Sequence, residues 1–196
     1  MRGFGRWGRA VIVLTTAAVA AGAQTGAGTF TDYRDGKTYK TVVIGGKRWM
    51  AENLNYKTSS GSWCYENHNT SCNKYGRLYD WNTAKTVCPS GWYLPSRQEW
   101  NDLVTAAGGG KKLKTRSGWN NNGNGTDDFG FSALPGGFRN SDGNFGDAGN
   151  NGYWWTDTER GSNYAYGRFM CYDGGTVYED SNVKDDGYSV RCVADN

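Results

Sequence analysis

The side chains suited to acid–base or nucleophilic chemistry are few and scattered along this chain. His68 is the single histidine and lies in a polar stretch, where a solvated loop position is its ordinary role. The acidic pairs Asp127-Asp128 and Glu179-Asp180 could suggest glycoside hydrolysis. That reaction needs two carboxylates facing each other across a cleft, which adjacency in sequence does not supply. We therefore expect no catalytic residue, while enzymatic activity remains an open alternative.

A stretch rich in asparagine, aspartate and glycine has the hard oxygen atoms that calcium prefers. The candidate metal ligands are Asn120, Asn122, Asn124, Asp127 and Asp128. The EF-hand pattern is absent, however, and Asn-Gly segments also form ordinary turns whose side chains bond their own backbone. We expect a structural turn here, with calcium as the alternative and no other cofactor.

Aromatic side chains are abundant enough to suggest sugar binding, because an exposed tyrosine or tryptophan has a flat apolar face and a polar tip. They make up 15% of the chain, whereas aliphatic residues are scarce, so most single rings should belong to the core. The predicted ligand-binding residues are Trp63, Trp119, Trp154, Trp155, Tyr166 and Tyr178, with Tyr65, Tyr153, Tyr164 and Tyr172 as further candidates. Side chains alternate along a strand, so either Trp154 or Trp155 should face the surface.

Five cysteines are present, an odd number. In an exported protein, pairing is the default. The simplest account is two bridges, Cys64–Cys72 and Cys88–Cys192, with Cys171 as a free thiol. Fifteen choices of two bridges and one unpaired cysteine exist for such a set, and the others stay open. An unpaired Cys171 would be either a buried thiol or an intermolecular contact.

Residues 1–23 have the form of a secretory signal peptide. Arg2, Arg6 and Arg9 precede a short apolar stretch, and residues 21–23 (AGA) form a small-residue cleavage site. The apolar stretch is shorter than the ~20 residues that span a bilayer, and no later segment is apolar enough to do so. We expect a secreted or cell-surface protein with no membrane span after cleavage.

Charge and length limit the partners and the number of domains. Cleavage would remove three of 22 basic side chains and none of 19 acidic ones, leaving 19 of each. A neutral chain without a basic stripe argues against nucleic acid and anionic membranes as main partners. The remaining 173 of 196 residues suit one domain. We predict a flexible lead-in over residues 24–31 and a single domain over residues 32–196.

Two helices should position these side chains. Residues 78–87 have apolar residues at helical spacing and are followed by Pro89. The second helix begins at Ser96, which forms a capping box with Glu99, and ends at Gly108. Between Glu99 and Gly108, four apolar residues form a stripe that faces the core.

Short strands and long loops should make up the rest of the chain. The predicted strands cover residues 38–44, 47–54, 129–134, 153–158, 164–172, 176–179 and 188–193, and residues 56–75 are predicted as a polar loop. The pattern indicates an α+β domain with two helices and short, twisted antiparallel strands.

Eight motifs, in order, resemble the Fibrobacter succinogenes major paralogous domain. They are residues 35–40 (DGKTYK), 49–54 (WMAENL), 75–79 (YGRLY), 88–96 (CPSGWYLPS), 125–131 (GTDDFGF), 133–137 (ALPGG), 152–155 (GYWW) and 189–192 (SVRC). Together they extend from about Asp32 to Asp195, nearly the whole chain after the signal peptide. The family occurs in secreted and surface proteins of fibre-associated bacteria and has no assigned chemistry, so the resemblance implies a location but no reaction.

Residues 91–100 and 187–191 are also similar to the formylglycine-generating enzyme, whose fold is C-type-lectin-like. Such folds join the first helix to the last strand by a bridge, a role that suits Cys88 and Cys192. The copper site of that enzyme uses two nearby cysteines, whereas residues 168–175 (RFMCYDGG) contain only Cys171. Related iron oxygenases bind iron through three histidines, whereas this chain has only one histidine, His68.

The resemblance and the residues together imply non-catalytic binding of polysaccharide or glycoprotein. An enzyme of unknown chemistry and a structural surface component are the alternatives. Because the first expectation depends partly on fold analogy, the site itself has to support it.

Overall fold

The computed structural model describes residues 26–196, so the predicted signal peptide over residues 1–23 lies outside the described part of the chain. The strands are β1 (Gly28–Asp32), β2 (Lys37–Ile44), β3 (Lys47–Met50), β4 (Ser62–Trp63), β5 (Leu78–Tyr79), β6 (Phe138–Arg139), β7 (Phe145–Gly146), β8 (Asn151–Glu159), β9 (Tyr164–Cys171), β10 (Val177–Val183), β11 (Tyr188–Ser189) and β12 (Val193–Asp195). The α-helices are α1 (Asn69–Tyr75), α2 (Trp81–Val87) and α3 (Arg97–Ala107). This content confirms the α+β class.

Two sheets and a small hairpin form the β structure. One sheet has four antiparallel strands in the order β1-β2-β3-β12. The other has six strands in the order β10-β9-β8-β11-β5-β4, antiparallel except where β11 pairs with β8. Strands β6 and β7 form the hairpin. The segment that carries β11 and β12 therefore contributes one strand to each sheet.

Helix α3 forms as its sequence predicts. Ser96 Oγ accepts from the Glu99 N–H, and the Glu99 carboxylate accepts from the Ser96 N–H. This reciprocal cap satisfies two backbone donors at the start of the helix. Gly108 ends the helix at a φ of 76°, a left-handed conformation that glycine adopts without strain. The buried face of α3 consists of Trp100, Leu103 and Ala107.

Several elements differ from the expectation. The described residues contain three α-helices rather than two, because α1 lies within the predicted polar loop and has only Cys72 buried. Strand β1 covers half of the predicted flexible lead-in, residues 28–31, and pairs along its full length with β2. The predicted strand over residues 129–134 is irregular, since Ser132 has a φ of 55°. The predicted last strand is divided into β11 and β12, which join different sheets.

Large rings build the core on both faces of the six-stranded sheet. On one face Trp154 packs against Trp100 of α3, with ring centroids 5.9 Å apart. On the other face Trp155 stacks on Tyr188 at 4.4 Å. Both tryptophans are 0% exposed, so the expectation that one of them faces the surface is wrong. The two rings do point to opposite faces of the sheet, as alternation along a strand requires. Both faces are packed against other parts of the protein at this position, so neither ring reaches solvent.

Two disulfides cross-link the described residues. Cys64–Cys72 closes a short segment around α1, and Cys88–Cys192 joins the end of α2 to the residue before β12. Cys171 is unpaired and half-buried. Within residues 26–196, no helix combines the length and apolar character needed to cross a bilayer.

Candidate functional site

Three of the six predicted ligand-binding rings are unavailable to a ligand. Trp119 is 4% exposed, and Trp154 and Trp155 are fully buried. Each indole N–H also has an internal acceptor: Ala133 O for Trp119, Asn53 Oδ1 for Trp154 and Tyr79 O for Trp155. These three rings are core residues, and their prediction as binding residues is wrong because aliphatic side chains are too few to fill the interior.

Two further predicted rings are only partly exposed and are covered by arginines. The Arg139 guanidinium carbon lies 4.2 Å from the ring centroid of Trp63, and that of Arg97 lies 3.8 Å from the ring centroid of Tyr166. A cation over the ring occupies the face on which a sugar would stack. One ring face of Trp63 and one of Tyr166 are therefore already occupied by an arginine.

Tyr178 is the predicted ring that reaches solvent, with 43% of its surface exposed. It lies in β10, directly opposite Phe169 of β9, and the two rings stack with centroids 4.9 Å apart. Phe169 stacks in turn on Tyr153 of β8 at 5.6 Å, and Tyr153 stacks on Tyr188 of β11 at 5.2 Å. We call these four residues, Tyr178, Phe169, Tyr153 and Tyr188, the aromatic row.

The row offers one free ring face. Phe169 and Tyr153 each have a stacked ring on both sides, so neither can add a third partner. Tyr178 ends the row at the edge strand of the sheet, and its outer side has no stacked ring among the described residues. Stacking on Phe169 already restricts the Tyr178 side chain. A ligand that binds to Tyr178 therefore pays a smaller conformational-entropy cost for ordering this side chain.

Polar groups flank the row. The Tyr153 hydroxyl donates to Asp147 Oδ2 at 2.7 Å, and the Asn151 amide donates to the same oxygen at 2.7 Å. Burial raises the pKa of Tyr153, and the hydrogen bond to Asp147 raises it further, so the phenol keeps its proton. Asp180 lies two residues from Tyr178 in β10 and so points to the same side of the strand. Carboxylate and amide groups of this kind could accept and donate hydrogen bonds at sugar hydroxyls.

The predicted calcium ligands hold turns in the structure. Asn124 Oδ1 accepts from the Trp119 N–H at 3.1 Å, and the Asp127 carboxylate accepts from the Ser132 N–H at 2.8 Å and from its hydroxyl at 2.7 Å. Asn120 donates to Asn150 Oδ1, and Asn122 has a φ of 59°. Asp128 is exposed. These contacts are those of an ordinary structural turn. Calcium binding by Asn120, Asn122, Asn124, Asp127 and Asp128 stays a prediction.

His68 and Cys171 lie on different elements of the fold. His68 is exposed at the start of α1. Cys171 ends β9, and burial raises the pKa of its thiol. A raised pKa lowers the fraction of thiolate, which is the reactive form.

Two rings of the row, Tyr188 and Phe169, are absent from the predicted set. Phe169 is a phenylalanine, whereas the predicted platforms are tyrosines and tryptophans. The signal that could have found it is the spacing of Tyr153, Phe169 and Tyr178 in three successive strand segments. Recognising that spacing requires the register between the strands, which cannot be read from the sequence alone.

Comparison with known proteins gives one family. The model described as the Fibrobacter succinogenes major domain matches residues 42–194, which include every element from β3 through β11, the last three residues of β2 and the first two of β12. No curated protein and no solved structure matches the chain. Because the match covers well over half of the sequence and contains both disulfides and the aromatic row, the chain belongs to the Fibrobacter succinogenes major domain family.

Proposed function

We propose that this protein is a secreted or surface-associated, non-catalytic binding domain for polysaccharide or glycoprotein. The observation that carries the proposal is the solvent-exposed Tyr178 at the end of the aromatic row, with Asp180 on the same side of β10. Rigid tyrosine platforms provide large contact areas at a low cost in conformational entropy.

A C-type-lectin-like fold, similar to that of the formylglycine-generating enzyme, is part of the proposal. The Cys88–Cys192 bridge supports it, since it ties the residue after α2 to the residue before β12. Cys171 is the one cysteine of the described residues outside the two disulfides, so a copper site built on two free cysteines has no counterpart among them.

Removal of the Tyr178 ring tests the function directly. We expect Y178A to weaken retention on an insoluble neutral plant polysaccharide by about fivefold, because stacking on one aromatic ring contributes ~1 kcal/mol. Y178F keeps the ring and should bind like the wild type. The measurement is a depletion isotherm on the washed polysaccharide.

Y33A is the matched control, because Tyr33 is 92% exposed and stacks on no other aromatic ring among the described residues. Equal retention of Y178A and the wild type, or an equal loss in Y33A, would reject the aromatic row as the binding site.

A further inference from the structure

A second candidate site lies away from the aromatic row. A cleft of about 340 Å³ opens where β2, the segment after β3 and the end of α1 meet. We call it the lysine cleft, and its lining includes Lys37, Lys40, Lys74, Asn55, Asn73 and Tyr75. Its volume lies at the small end of the range for ligand pockets, ~300–1,000 Å³.

The lysine cleft has an excess of positive charge. Among the described residues, Lys40 and Lys74 make no ion pair, whereas Lys37 pairs with Asp35 at 3.0 Å. The carboxylate in the lining is that of Glu52, which accepts from the backbone N–H of Lys40 at 2.7 Å. Lys40 and Lys74 therefore give the lining an excess of positive charge over its single carboxylate, Glu52.

A third cation lies directly behind the wall. Arg191 is 1% exposed and has no carboxylate partner among the described residues. Its guanidinium donates to Asn53 Oδ1 at 2.9 Å and to Ser132 O at 3.3 Å, and both acceptor residues line the cleft. A charge buried in a low-dielectric interior is poorly screened, so it adds to the positive potential at the surface in front of it.

The cleft is held in shape by covalent and steric constraints. The Cys64–Cys72 bridge fixes α1, which carries Lys74 and Asn73. Gly76, at the end of α1, approaches Asn53 so closely that a Cβ there would lie 2.7 Å from Asn53 Cβ. Only glycine allows this contact between the two walls.

We propose that the lysine cleft binds an acidic saccharide residue, with its carboxylate between Lys40 and Lys74 and its hydroxyls at the amides of Asn55 and Asn73. Neither amide has a side-chain hydrogen bond among the described residues, so both are available. The anionic character of the ligand follows from the cleft alone, whereas the saccharide class rests on the proposed function.

The test is isothermal titration of the protein with trigalacturonate and with the neutral trisaccharide galactotriose. We expect binding of trigalacturonate, weakened about tenfold by K40Q/K74Q, since charge-assisted hydrogen bonds are lost. The matched control is K111Q/K112Q, which removes two exposed lysines outside the cleft and should bind like the wild type. Y178A should also bind trigalacturonate normally, so failure at the row and failure at the cleft can be distinguished.

Three results would overturn the proposal. One is equal affinity for galactotriose and trigalacturonate, and another is an equal loss in the two lysine double variants. The third is displacement of trigalacturonate by inorganic phosphate or an acidic peptide at the same concentration, because it would show an anion site without saccharide preference. Near-ultraviolet circular dichroism identical to the wild type confirms that the variants are folded.

Discussion

At the scale of single residues, Asn53 satisfies more buried polar groups than any other side chain discussed above. Its Oδ1 accepts from Trp154 Nε1 at 2.8 Å and from two nitrogens of the Arg191 guanidinium. Its amide donates to Tyr75 O at 2.8 Å and to Ser189 Oγ at 3.2 Å. One side chain thus links the segment after β3 to α1, β8 and the segment between β11 and β12.

We expect N53A to lower the free energy of unfolding by about 3 kcal/mol, because it leaves a buried indole N–H and part of a buried guanidinium without acceptors. Urea denaturation followed by tryptophan fluorescence measures the change. N55A is the control, since this neighbouring amide makes no side-chain hydrogen bond among the described residues, and it should stay within about 0.5 kcal/mol of the wild type. Similar stabilities for the two variants would show that Asn53 does not have this role.

At the scale of elements, the edge strand β10 is tied to α3 by charge. The Glu179 carboxylate accepts from Arg97 of α3 at 2.9 Å and pairs with Arg168 of β9 at 2.7 Å. The hydrogen bond from Arg97 lowers the pKa of Glu179 below its ordinary value, and the charge of Arg168 lowers it further, although burial opposes the shift. The strand that carries Tyr178 is therefore anchored by an ionised carboxylate.

The pH dependence of stability should reveal this anchor. A carboxyl whose pKa is lowered on folding stabilises the folded state above its unfolded pKa, and this contribution disappears as the pH falls through the folded value. We expect E179Q to be less stable than the wild type at neutral pH and equally stable in strong acid. The measurement is the free energy of unfolding in urea across this range.

D180N controls for the loss of one negative charge from the same strand, since the Asp180 carboxylate bonds only its neighbour Ser181 among the described residues. If E179Q and D180N approached the wild type in the same way on acidification, the pair with Arg97 would not account for the effect.

Local signals explain which elements could be predicted from the sequence. Helix α3 has its cap, its apolar stripe and its terminating glycine within one short segment, so the sequence alone places it. Helix α1 has no such stripe, and its one buried residue is Cys72, which is bonded to Cys64. Strand β1 depends on pairing with β2. Elements that are stabilised by a partner outside their own residues lack the pattern that α3 contains.

At the scale of the whole molecule, the same distinction separates the core from the candidate site. An aromatic-rich core was predictable from composition, because few aliphatic side chains are available to fill it. Which rings stay at the surface depends on the layer that covers each face of a sheet, as the burial of both Trp154 and Trp155 shows. The aromatic row and the lysine cleft both depend on register and packing between segments far apart in sequence.

The two disulfides should stabilise the molecule unequally. In the chain-entropy model, a bridge across 104 residues contributes ~4–5 kcal/mol and one across 8 residues ~2–3 kcal/mol. We expect C88A/C192A to lose about twice as much free energy of unfolding as C64A/C72A, measured in urea. A larger loss from C64A/C72A would contradict the expectation and would assign α1 a greater share of the stability.

Strands β11 and β12 belong to different sheets although only three residues separate them. Both are made after strands β1–β10 of the described residues, and β11 lies between β8 and β5. A nascent chain without residues 188–195 therefore has two incomplete sheets. It also lacks Cys192, the disulfide partner of Cys88, and Arg191, whose guanidinium donates to Asn53. The two sheets can therefore close only after residues 188–195 have been made, so local folding of earlier segments cannot complete the interior.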